Sequence, residues 1–189
     1  MCSLSNKAHV FWFSGLSGSG KTTIANRVMK LLKESNYNAL ILDGDDVRAR
    51  HKQTLGFSKA DITLNNRLIL DLCIFEQKNY NAILVPVISP FRESRLAARK
   101  KLGNKFSEIY FSASLETVVS RDVKGLYRKA QQGIIHNMIG YSGNSPYEKP
   151  RNPDYVVDTE ASSIKRASEN FFCFIEKMLS EKSRVNCSI

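Results

Sequence analysis

Cysteine is scarce in this sequence, and long apolar runs are lacking. The four cysteines among 189 residues show no CxxC spacing, which argues against both a disulfide framework and a structural metal site. No apolar stretch approaches the roughly 20 residues that a membrane-spanning helix needs. The apolar run at residues 10–13 is also too short for the core of a signal peptide. We therefore expect a cytoplasmic protein with reduced thiols and no membrane partner.

Acidic residues are few compared with basic ones. The chain holds 28 Lys and Arg against 18 Asp and Glu, a formal net charge of +10 at pH 7. This balance is typical of nucleic-acid binding or of a site that holds two polyanionic small molecules at once. Because the basic residues are spread along the chain and form no tail or repeat, we favour the small molecules and expect no nucleic-acid partner.

The length and the 42% hydrophobic content predict a single domain over residues 9–181. A polar lead (1–8) would precede this domain, and a flexible tail (182–189) would follow it. Apolar runs typical of buried strands alternate with segments of helical period, which predicts an α/β fold of three layers, with helices on both faces of a mainly parallel sheet. Ligands of such folds collect at the carboxyl ends of the strands.

The expected elements follow from hydrophobic periodicity and turn residues. Strands are predicted at 9–14, 39–42, 82–88, 106–111 and 155–157. Helices are predicted at 21–35, around the stripe Leu64, Leu68, Leu72 and Phe75, from 92 to about 102, at 115–132 with a break at Gly125, and at 161–181. Residues 133–150 are rich in glycine and proline and poor in aliphatic side chains, which predicts a mobile lid.

Residues 15–22 fit the P-loop pattern G-x-x-x-x-G-K-[ST] and lie between a predicted strand and a predicted helix, as this motif requires. Glycines let backbone amides surround phosphate oxygens, and the helix N-terminus adds partial positive charge. Lys21 would reach the β- and γ-phosphates of ATP, and the Thr22 hydroxyl would bind Mg²⁺. The predicted nucleotide-binding residues are Gly15, Leu16, Ser17, Gly18, Ser19, Gly20, Lys21, Thr22 and Thr23.

Two carboxylates, Asp43 and Asp45, follow the second predicted strand. A carboxylate there can hold the water shell of Mg²⁺ or take a proton from an attacking hydroxyl, whereas the structural alternative is a helix N-cap. Phosphoryl transfer also needs cations near the moving charge. The candidates are Arg48, Arg92, Arg95, Arg121, Lys124 and Arg128. The pattern favours Arg92, which follows a strand end, and Lys124, which precedes the lid.

Six segments, in this order and spacing, resemble the adenylylsulfate kinase family over about residues 8–160. They are Gly-Leu-Ser-Gly-Ser-Gly-Lys-Thr-Thr (15–23), Leu-Asp-Gly-Asp (42–45), Leu-Gly-Phe-Ser (55–58), Ile-Ser-Pro-Phe-Arg (88–92), Arg-Asp-Val-Lys-Gly-Leu-Tyr (121–127) and Pro-Tyr-Glu (146–148). The resemblance implies that MgATP phosphorylates the ribose 3′-hydroxyl of adenylyl sulfate, giving 3′-phosphoadenylyl sulfate, as in sulfate assimilation. The family is often dimeric, so a homodimer is an expectation.

By the same resemblance, Asp45 is the base toward the 3′-hydroxyl, Asp43 helps to hold Mg²⁺, and Ser89 matches a phosphoserine candidate of the family. Lys21 and Lys124 complete the catalytic set. The acceptor nucleotide would contact Asp45, Arg48, Phe57, Asn65, Ile88, Ser89, Arg92 and Lys124. From its position alone, Phe57 is predicted either to stack on a base or to make a core contact.

The acceptor half departs from the family pattern. Ile62 stands where relatives carry an arginine that contacts the phosphosulfate, and residues 138–140 read Met-Ile-Gly where the lid of relatives reads Phe-Thr-Gly. Unless Arg50 or Lys52 replaces the missing guanidinium, adenylyl sulfate should bind less well. An alternative acceptor is therefore an activated nucleotide with a less anionic end group, such as cytidine diphosphoramidate. A third hypothesis, a catalytically weak regulatory protein, conflicts with the intact P-loop and aspartates.

Overall fold

A computed structural model describes residues 7–50 and 56–184, except for the side chains of residues 50 and 181–184. The helices and strands alternate along the chain as the periodicity predicts. In order they are β1 (His9–Ser14), α1 (Lys21–Glu34), β2 (Ala39–Ile41), α2 (Gly44–Arg50), α3 (Lys59–Glu76), β3 (Ala82–Val85), α4 (Arg92–Leu102), β4 (Phe106–Ser112), α5 (Leu115–Arg121), α6 (Leu126–Gln131), β5 (Tyr155–Asp158) and α7 (Ile164–Arg184).

The five strands form one parallel sheet in the order β2-β3-β1-β4-β5. The central strand, β1, pairs Phe11 with Leu84 of β3 on one side and with Ser107 of β4 on the other. All six residues of β1 are buried, which explains its nearly continuous apolar sequence, because a parallel strand is covered on both faces. The predicted α/β fold of the P-loop type is confirmed.

Alternate residues of β1 supply two separate apolar cores. Phe11 and Phe13 pack with α1 and α7, where Phe171 is fully buried. Val10 and Trp12 face the opposite side and pack with residues of α3 and α4. This alternation follows from the two-residue period of a strand. The sheet is therefore held rigidly between two helical layers, and its carboxyl edge is a fixed platform for the loops that follow β1, β2 and β3.

Helix α3 is present, but the predicted apolar stripe is not its buried face. Leu64 and Leu72 are each 39% exposed, and Phe75 is 62% exposed. The inward face carries Ile62, Asn65, Asn66, Ile69, Leu70 and Cys73. The spacing of apolar residues predicts the wrong buried face because the inner face of this helix also lines a cavity. Two buried residues on that face are therefore asparagines.

Two strands differ from their predictions, β2 in its burial and β3 in its length. β2 is half-buried, in contrast to the buried strand predicted at 39–42, because it is the edge strand and pairs with β3 alone. β3 ends at Val85, and Pro86 follows directly. The strand predicted at 82–88 is therefore shorter, because Pro86 has no N–H group to donate to the ladder.

The segment between α6 and β5, which holds the predicted lid, contains turns but no helix or strand. It contacts the P-loop through Gly140, whose φ is 75° and where an added Cβ would lie only 2.3 Å from Leu16 Cδ2. At the chain ends, Ala8 is buried beneath α3, and residues 182–184 continue α7, where a loose tail was predicted. Among the described helices, none is both long and apolar enough to cross a membrane.

Candidate active site

The loop between β1 and α1 adopts a conformation that only glycine tolerates at its two ends. Gly15 has φ 148° and Gly20 has φ 86°, and a Cβ on Gly15 would lie 2.7 Å from the carbonyl oxygen of Phe111. Helix α1 begins directly at Lys21, so the free amides of its first turn point into the loop. The loop and helix together therefore form a concave anion-binding surface.

Lys21 is folded back onto this loop. Its side-chain nitrogen donates hydrogen bonds to the carbonyl oxygens of Gly15 (2.8 Å) and Leu16 (2.6 Å) and to Ser19 Oγ (3.1 Å). Burial, followed by repulsion from Lys124, lowers the pKa of Lys21 to about 7, although Asp43 and Asp45 act in the opposite direction. Burial therefore makes the ammonium group easy to deprotonate near neutral pH.

This depressed pKa predicts proton uptake when MgATP binds. At pH 7.5 most Lys21 side chains should be neutral in the free protein, and phosphate oxygens should restore the charge, so about 0.8 proton should be taken up. Uptake should shrink towards pH 6, and MgATP affinity should fall as the pH rises through 7. Calorimetry of AMPPNP and Mg²⁺ binding in buffers of different ionisation enthalpy measures this uptake. Lys21→Arg, whose guanidinium stays charged, is the control; equal uptake by both proteins would contradict the assignment.

Thr22 and Asp43 bring two oxygen donors together beside the loop. Thr22 Oγ1 donates to Asp43 Oδ2 at 3.3 Å, and Asp43 Oδ1 accepts from the backbone amide of Asp45 at 2.9 Å. Asp43 thus also caps α2, so the structural alternative raised from the sequence applies alongside the functional one. A hydroxyl and a carboxylate are hard ligands of the kind Mg²⁺ takes when phosphates and water complete its shell. Within the described residues, no group of three or more His, Cys, Asp or Glu forms a full metal cage.

An ion pair crosses the cavity between α2 and the α5–α6 connection. Lys124 Nζ lies 2.8 Å from Asp45 Oδ2, and the side chains are 60% and 75% exposed. The hydrogen bond to Asp45 raises the pKa of Lys124, which keeps this side chain charged. Because an exposed pair contributes only about 0–1 kcal/mol, a ligand phosphate can displace either partner readily.

The cavity joins the P-loop to most of the predicted acceptor residues. Its lining includes Ser17, Gly18, Gly20, Lys21, Thr22, Thr23, Asp43, Asp45, Arg48, Phe57, Asn65, Ile88, Ser89 and Lys124. Of the six candidate cations, Arg48 and Lys124 line it, whereas Arg121 pairs with Thr159 and Arg95 is buried behind the wall. Arg48 and Lys124 therefore add two cationic side chains to the cavity besides Lys21 of the P-loop.

Arg92, which was predicted to contact the acceptor, is not among the residues that line the cavity. It is the first residue of α4, and its Nε donates to the carbonyl oxygen of Lys149 at 2.9 Å, at the end of the predicted lid segment. The sequence places Arg92 correctly after the strand end, but the direction of a first-turn side chain depends on what the helix packs against.

The rim of the cavity carries Phe57, which is 64% exposed, so the core-contact alternative is wrong. The guanidinium carbon of Arg48 lies 4.8 Å from the centroid of this ring, and Arg48 also donates to the carbonyl oxygen of Gly56. An aromatic ring stacked on a guanidinium presents its free face to the cavity. The predicted alternatives Arg50 and Lys52 lie outside the described side chains.

Three contributors to the cavity were missed from the sequence. Asn66 donates from Nδ2 to Ser89 Oγ (3.2 Å), and Tyr127 donates from its hydroxyl to the carbonyl oxygen of Ser17 (3.0 Å). Ile139 packs with Ile62 in an apolar cluster, and both line the cavity. The one usable signal was two consecutive asparagines within an otherwise apolar helix.

Asn65 lines this cavity and has a buried acceptor without a hydrogen-bond partner in the described part of the chain. Its Nδ2 makes a long contact of 3.4 Å to the carbonyl oxygen of Gly44, while its buried Oδ1 has no hydrogen-bond partner among the described residues. A buried acceptor without a partner is unfavourable by about 1–3 kcal/mol. A ligand that brings an O–H or N–H group to this position would relieve that cost.

Known proteins resemble the chain along most of its length. A family model described as adenylylsulphate kinase matches residues 7–158. The adenylyl-sulfate kinase of Halothermothrix orenii is 40% identical over 180 residues, which is 95% of this chain and 94% of that relative. The solved structure of the Mycobacterium tuberculosis APS kinase CysC in complex with AMPPNP and APS has a TM-score of 0.81 at 35% identity, covering 90% of this chain and 98% of the other. The hexameric APS kinase from Thiobacillus denitrificans has a TM-score of 0.64 at 26% identity, covering 91% of this chain and 30% of that longer one.

Proposed function

The chain belongs to the adenylylsulfate kinase family, and from this membership we propose that it transfers the γ-phosphoryl group of ATP to the ribose 3′-hydroxyl of adenylyl sulfate. The observation that carries the proposal is the placement of Asp45 opposite an intact P-loop, within one cavity. A phosphate donor and a hydroxyl acceptor bound there would meet between Lys21 and Asp45. The products are ADP and 3′-phosphoadenylyl sulfate.

The ATP half of the reaction uses the P-loop. The amides of the loop hold the β- and γ-phosphates, and Lys21 exchanges its three oxygen contacts within the loop for phosphate oxygens. Thr22 and Asp43 are the residues that would hold Mg²⁺, which neutralises phosphate charge when bound. Phosphate oxygens would replace the loop oxygens as hydrogen-bond acceptors of Lys21, and the accompanying proton uptake makes this exchange depend on pH.

The transfer step uses Asp45 as the proton acceptor. The 3′-oxygen forms a bond to the γ-phosphorus, the bond from that phosphorus to the bridging oxygen of ADP breaks, and the 3′-hydroxyl proton passes to Asp45. Lys124 leaves the carboxylate when the acceptor enters and then lies beside the moving phosphoryl group, where positive charge stabilises the transition state. The Lys124–Asp45 pair thus keeps both side chains in place until substrates separate them.

The apolar part of the cavity wall around Ile62 favours a second candidate acceptor. Ile62 is only 6% exposed and packs with Phe91 and Ile139, so this wall presents an apolar surface where relatives carry a guanidinium. An end group with fewer negative charges is less penalised against such a wall. Cytidine diphosphoramidate has such an end group and keeps the same ribose 3′-hydroxyl, so it is the competing acceptor for the same chemistry.

A coupled assay of ADP release separates the candidates. Purified protein with MgATP is given adenylyl sulfate or cytidine diphosphoramidate in parallel, and kcat/KM is measured for each. Turnover of adenylyl sulfate with the higher kcat/KM supports the proposed function. Turnover of the cytidine compound alone would replace the acceptor and retain the chemistry. Binding of ATP without turnover of either nucleotide would favour the regulatory alternative.

Restoring the guanidinium at position 62 should improve the use of adenylyl sulfate. We expect Ile62→Arg to raise kcat/KM for adenylyl sulfate by about tenfold, since a charge-assisted hydrogen bond to a charged group contributes about 1.5–3 kcal/mol. Use of cytidine diphosphoramidate should improve less. Ile62→Met, which keeps an apolar side chain of similar volume, is the control in the same assay. An unchanged value in Ile62→Arg would mean that another cation already contacts the end group.

We also propose that the reaction takes place in the cytoplasm, where ATP is available and the two described cysteines, Cys73 and Cys173, would stay free. The hexameric relative supports self-association of this chain without selecting the homodimer that the sequence resemblance suggests. Light scattering of the purified protein measures which assembly forms.

A further inference from the structure

Arg95 is a buried arginine that the reaction described above does not use. It lies on α4, is only 2% exposed, and donates three hydrogen bonds from three different nitrogens. Nε donates to Glu108 Oε1 (2.5 Å), Nη1 to the carbonyl oxygen of Ser89 (2.5 Å) and Nη2 to the carbonyl oxygen of Glu148 (2.6 Å). One planar guanidinium therefore joins the sheet, the loop after β3 and the end of the lid segment.

Ser89, whose carbonyl oxygen accepts a hydrogen bond from Arg95, has a strained backbone conformation. Ser89 is buried and has φ 41°, in the left-handed region that residues other than glycine rarely adopt. Its carbonyl oxygen accepts from Arg95, and its hydroxyl oxygen accepts from Asn66 on α3. Ser89 lines the cavity, and because its hydroxyl oxygen already accepts from Asn66, its own proton is available to a ligand. The conformation that presents this hydroxyl depends on the contact to Arg95.

Glu148, at the end of the lid segment, is the other residue whose carbonyl oxygen accepts from Arg95. Two further hydrogen bonds attach it to the loop that follows β3. The amide of Glu148 donates to the carbonyl oxygen of Pro90 (2.9 Å), and Glu148 Oε2 accepts from the amide of Arg92 (2.8 Å). The preceding residue, Tyr147, packs against the apolar cluster that includes Ile62. The position of the cavity's apolar wall is thus linked to the position of Glu148.

The charge of Arg95 is balanced within the protein. Glu108 accepts its Nε, and a second arginine, Arg99, pairs with Asp154 (2.6 Å) and lies 3.8 Å from Glu108. A buried ion pair of this kind adds little net stability compared with apolar side chains of the same volume, but it fixes geometry through directed hydrogen bonds. Arg99 shares Glu108 with Arg95, and among the described residues it donates hydrogen bonds to Asp154 rather than to Ser89 or Glu148, so it offers a matched control.

We propose that Arg95 is a positioning residue for the acceptor nucleotide, because it joins Ser89, which lines the cavity, to Glu148, whose neighbour Tyr147 packs against the apolar cluster of the cavity wall. The proposal rests on the proposed function for its kinetic readout. It assigns no chemical step to Arg95, which is buried behind the wall. Loss of the link should loosen acceptor binding and leave the P-loop side of the cavity unchanged.

Steady-state kinetics of three variants test this link, with the acceptor that the wild-type protein uses best. Arg95→Met should raise the acceptor KM about tenfold while the ATP KM stays within about twofold. Arg95→Lys keeps a charge beside Glu108 but cannot reach both carbonyl oxygens, so it should unfold near the wild-type temperature and still show the raised acceptor KM. Arg99→Met should change neither KM. Equal changes of both KM values, or full rescue by lysine, would overturn the proposal.

Hydrogen exchange without substrates tests the same link independently of the reaction. The amides of Glu148 and Arg92 should exchange faster in Arg95→Lys than in the wild type and in Arg99→Met, whereas amides of β1 should stay protected. If Arg95→Met does not fold, Glu148→Ala is the alternative variant. It removes the carboxylate that accepts a hydrogen bond from the Arg92 amide, and it should also raise the acceptor KM. Unchanged exchange in Arg95→Lys would overturn the proposal even if the acceptor proves to be another nucleotide. Absent turnover by the wild type would count against the proposed function alone.

Discussion

Lys21→Met lowers kcat/KM for ATP by at least about a thousandfold, because the lost ammonium stabilises the transferring phosphoryl group in a site with few other cations. Within the part of the chain that the structure describes, Lys124 is the only other lysine that lines the cavity, and it is paired with Asp45. Methionine has a similar length, so the fold of the loop should survive. The measurement is ADP release at saturating acceptor.

A matched control separates the ammonium from general effects on α1. Lys30 is exposed on the same helix, and Lys30→Met should retain the wild-type kcat/KM. The unfolding temperature of Lys21→Met should equal or exceed that of the wild type, since removal of a buried, desolvated ammonium relieves a cost. A Lys21→Met enzyme with unchanged turnover would mean that the phosphates of ATP do not lie on this loop.

The second large effect is expected at Asp45. Asp45→Asn should lower kcat by about a thousandfold and leave the ATP KM within about twofold, because an amide cannot take the proton of the 3′-hydroxyl. Stability should change by no more than about 1 kcal/mol, since the carboxylate is exposed and its single ion partner is exposed as well. Rapid-quench measurement of the first turnover reports this step directly.

Two comparison variants assign the effect to proton transfer. Asp46→Asn changes the neighbouring exposed carboxylate and should leave kcat unchanged. Lys124→Met breaks the same ion pair from its other end. Because Lys124 would also lie beside the moving phosphoryl group, Lys124→Met should lower kcat as well. A kcat of Asp45→Asn close to that of the wild type would show that Asp45 is not the base.

Much of the fold follows from the sequence for a physical reason. Strands of a parallel sheet are covered on both faces, so β1 and β3 are short continuous apolar runs between glycine and polar turns. The P-loop between β1 and α1 is equally visible, because its backbone conformation needs glycine at fixed positions. Once the sheet is parallel, Asp43 and Ser89 must come to the same edge as the P-loop.

The parts that the sequence did not reveal depend on how helices rotate against their neighbours. Arg92 and Arg95 are three residues apart on α4, and nothing local distinguishes the one bound to Lys149 from the one buried behind Ser89. The inner face of α3 was likewise mistaken, because Asn65 and Asn66 face a cavity rather than an apolar core. Such choices are made by tertiary packing and by buried polar partners, which periodicity does not record.

The apolar cluster around Ile62 shows a second feature that could not be predicted from the sequence. The sequence shows that Ile62 replaces an arginine and that Ile139 occupies the lid, but the two positions are 77 residues apart by their numbers. The structure places both in one apolar cluster with Phe91. The two departures therefore lie on a single surface, and we expect them to affect the choice of acceptor together.

The position of the transferred phosphate tests the central claim most directly. Purified enzyme, MgATP and adenylyl sulfate are incubated together, and the product nucleotide is examined by correlated phosphorus–proton NMR. A single new phosphomonoester coupled to the ribose 3′ proton, formed in equal amount with ADP, is the predicted result. A phosphate on another ribose carbon, or ATP hydrolysed to free phosphate while the nucleotide stays unmodified, would contradict the account.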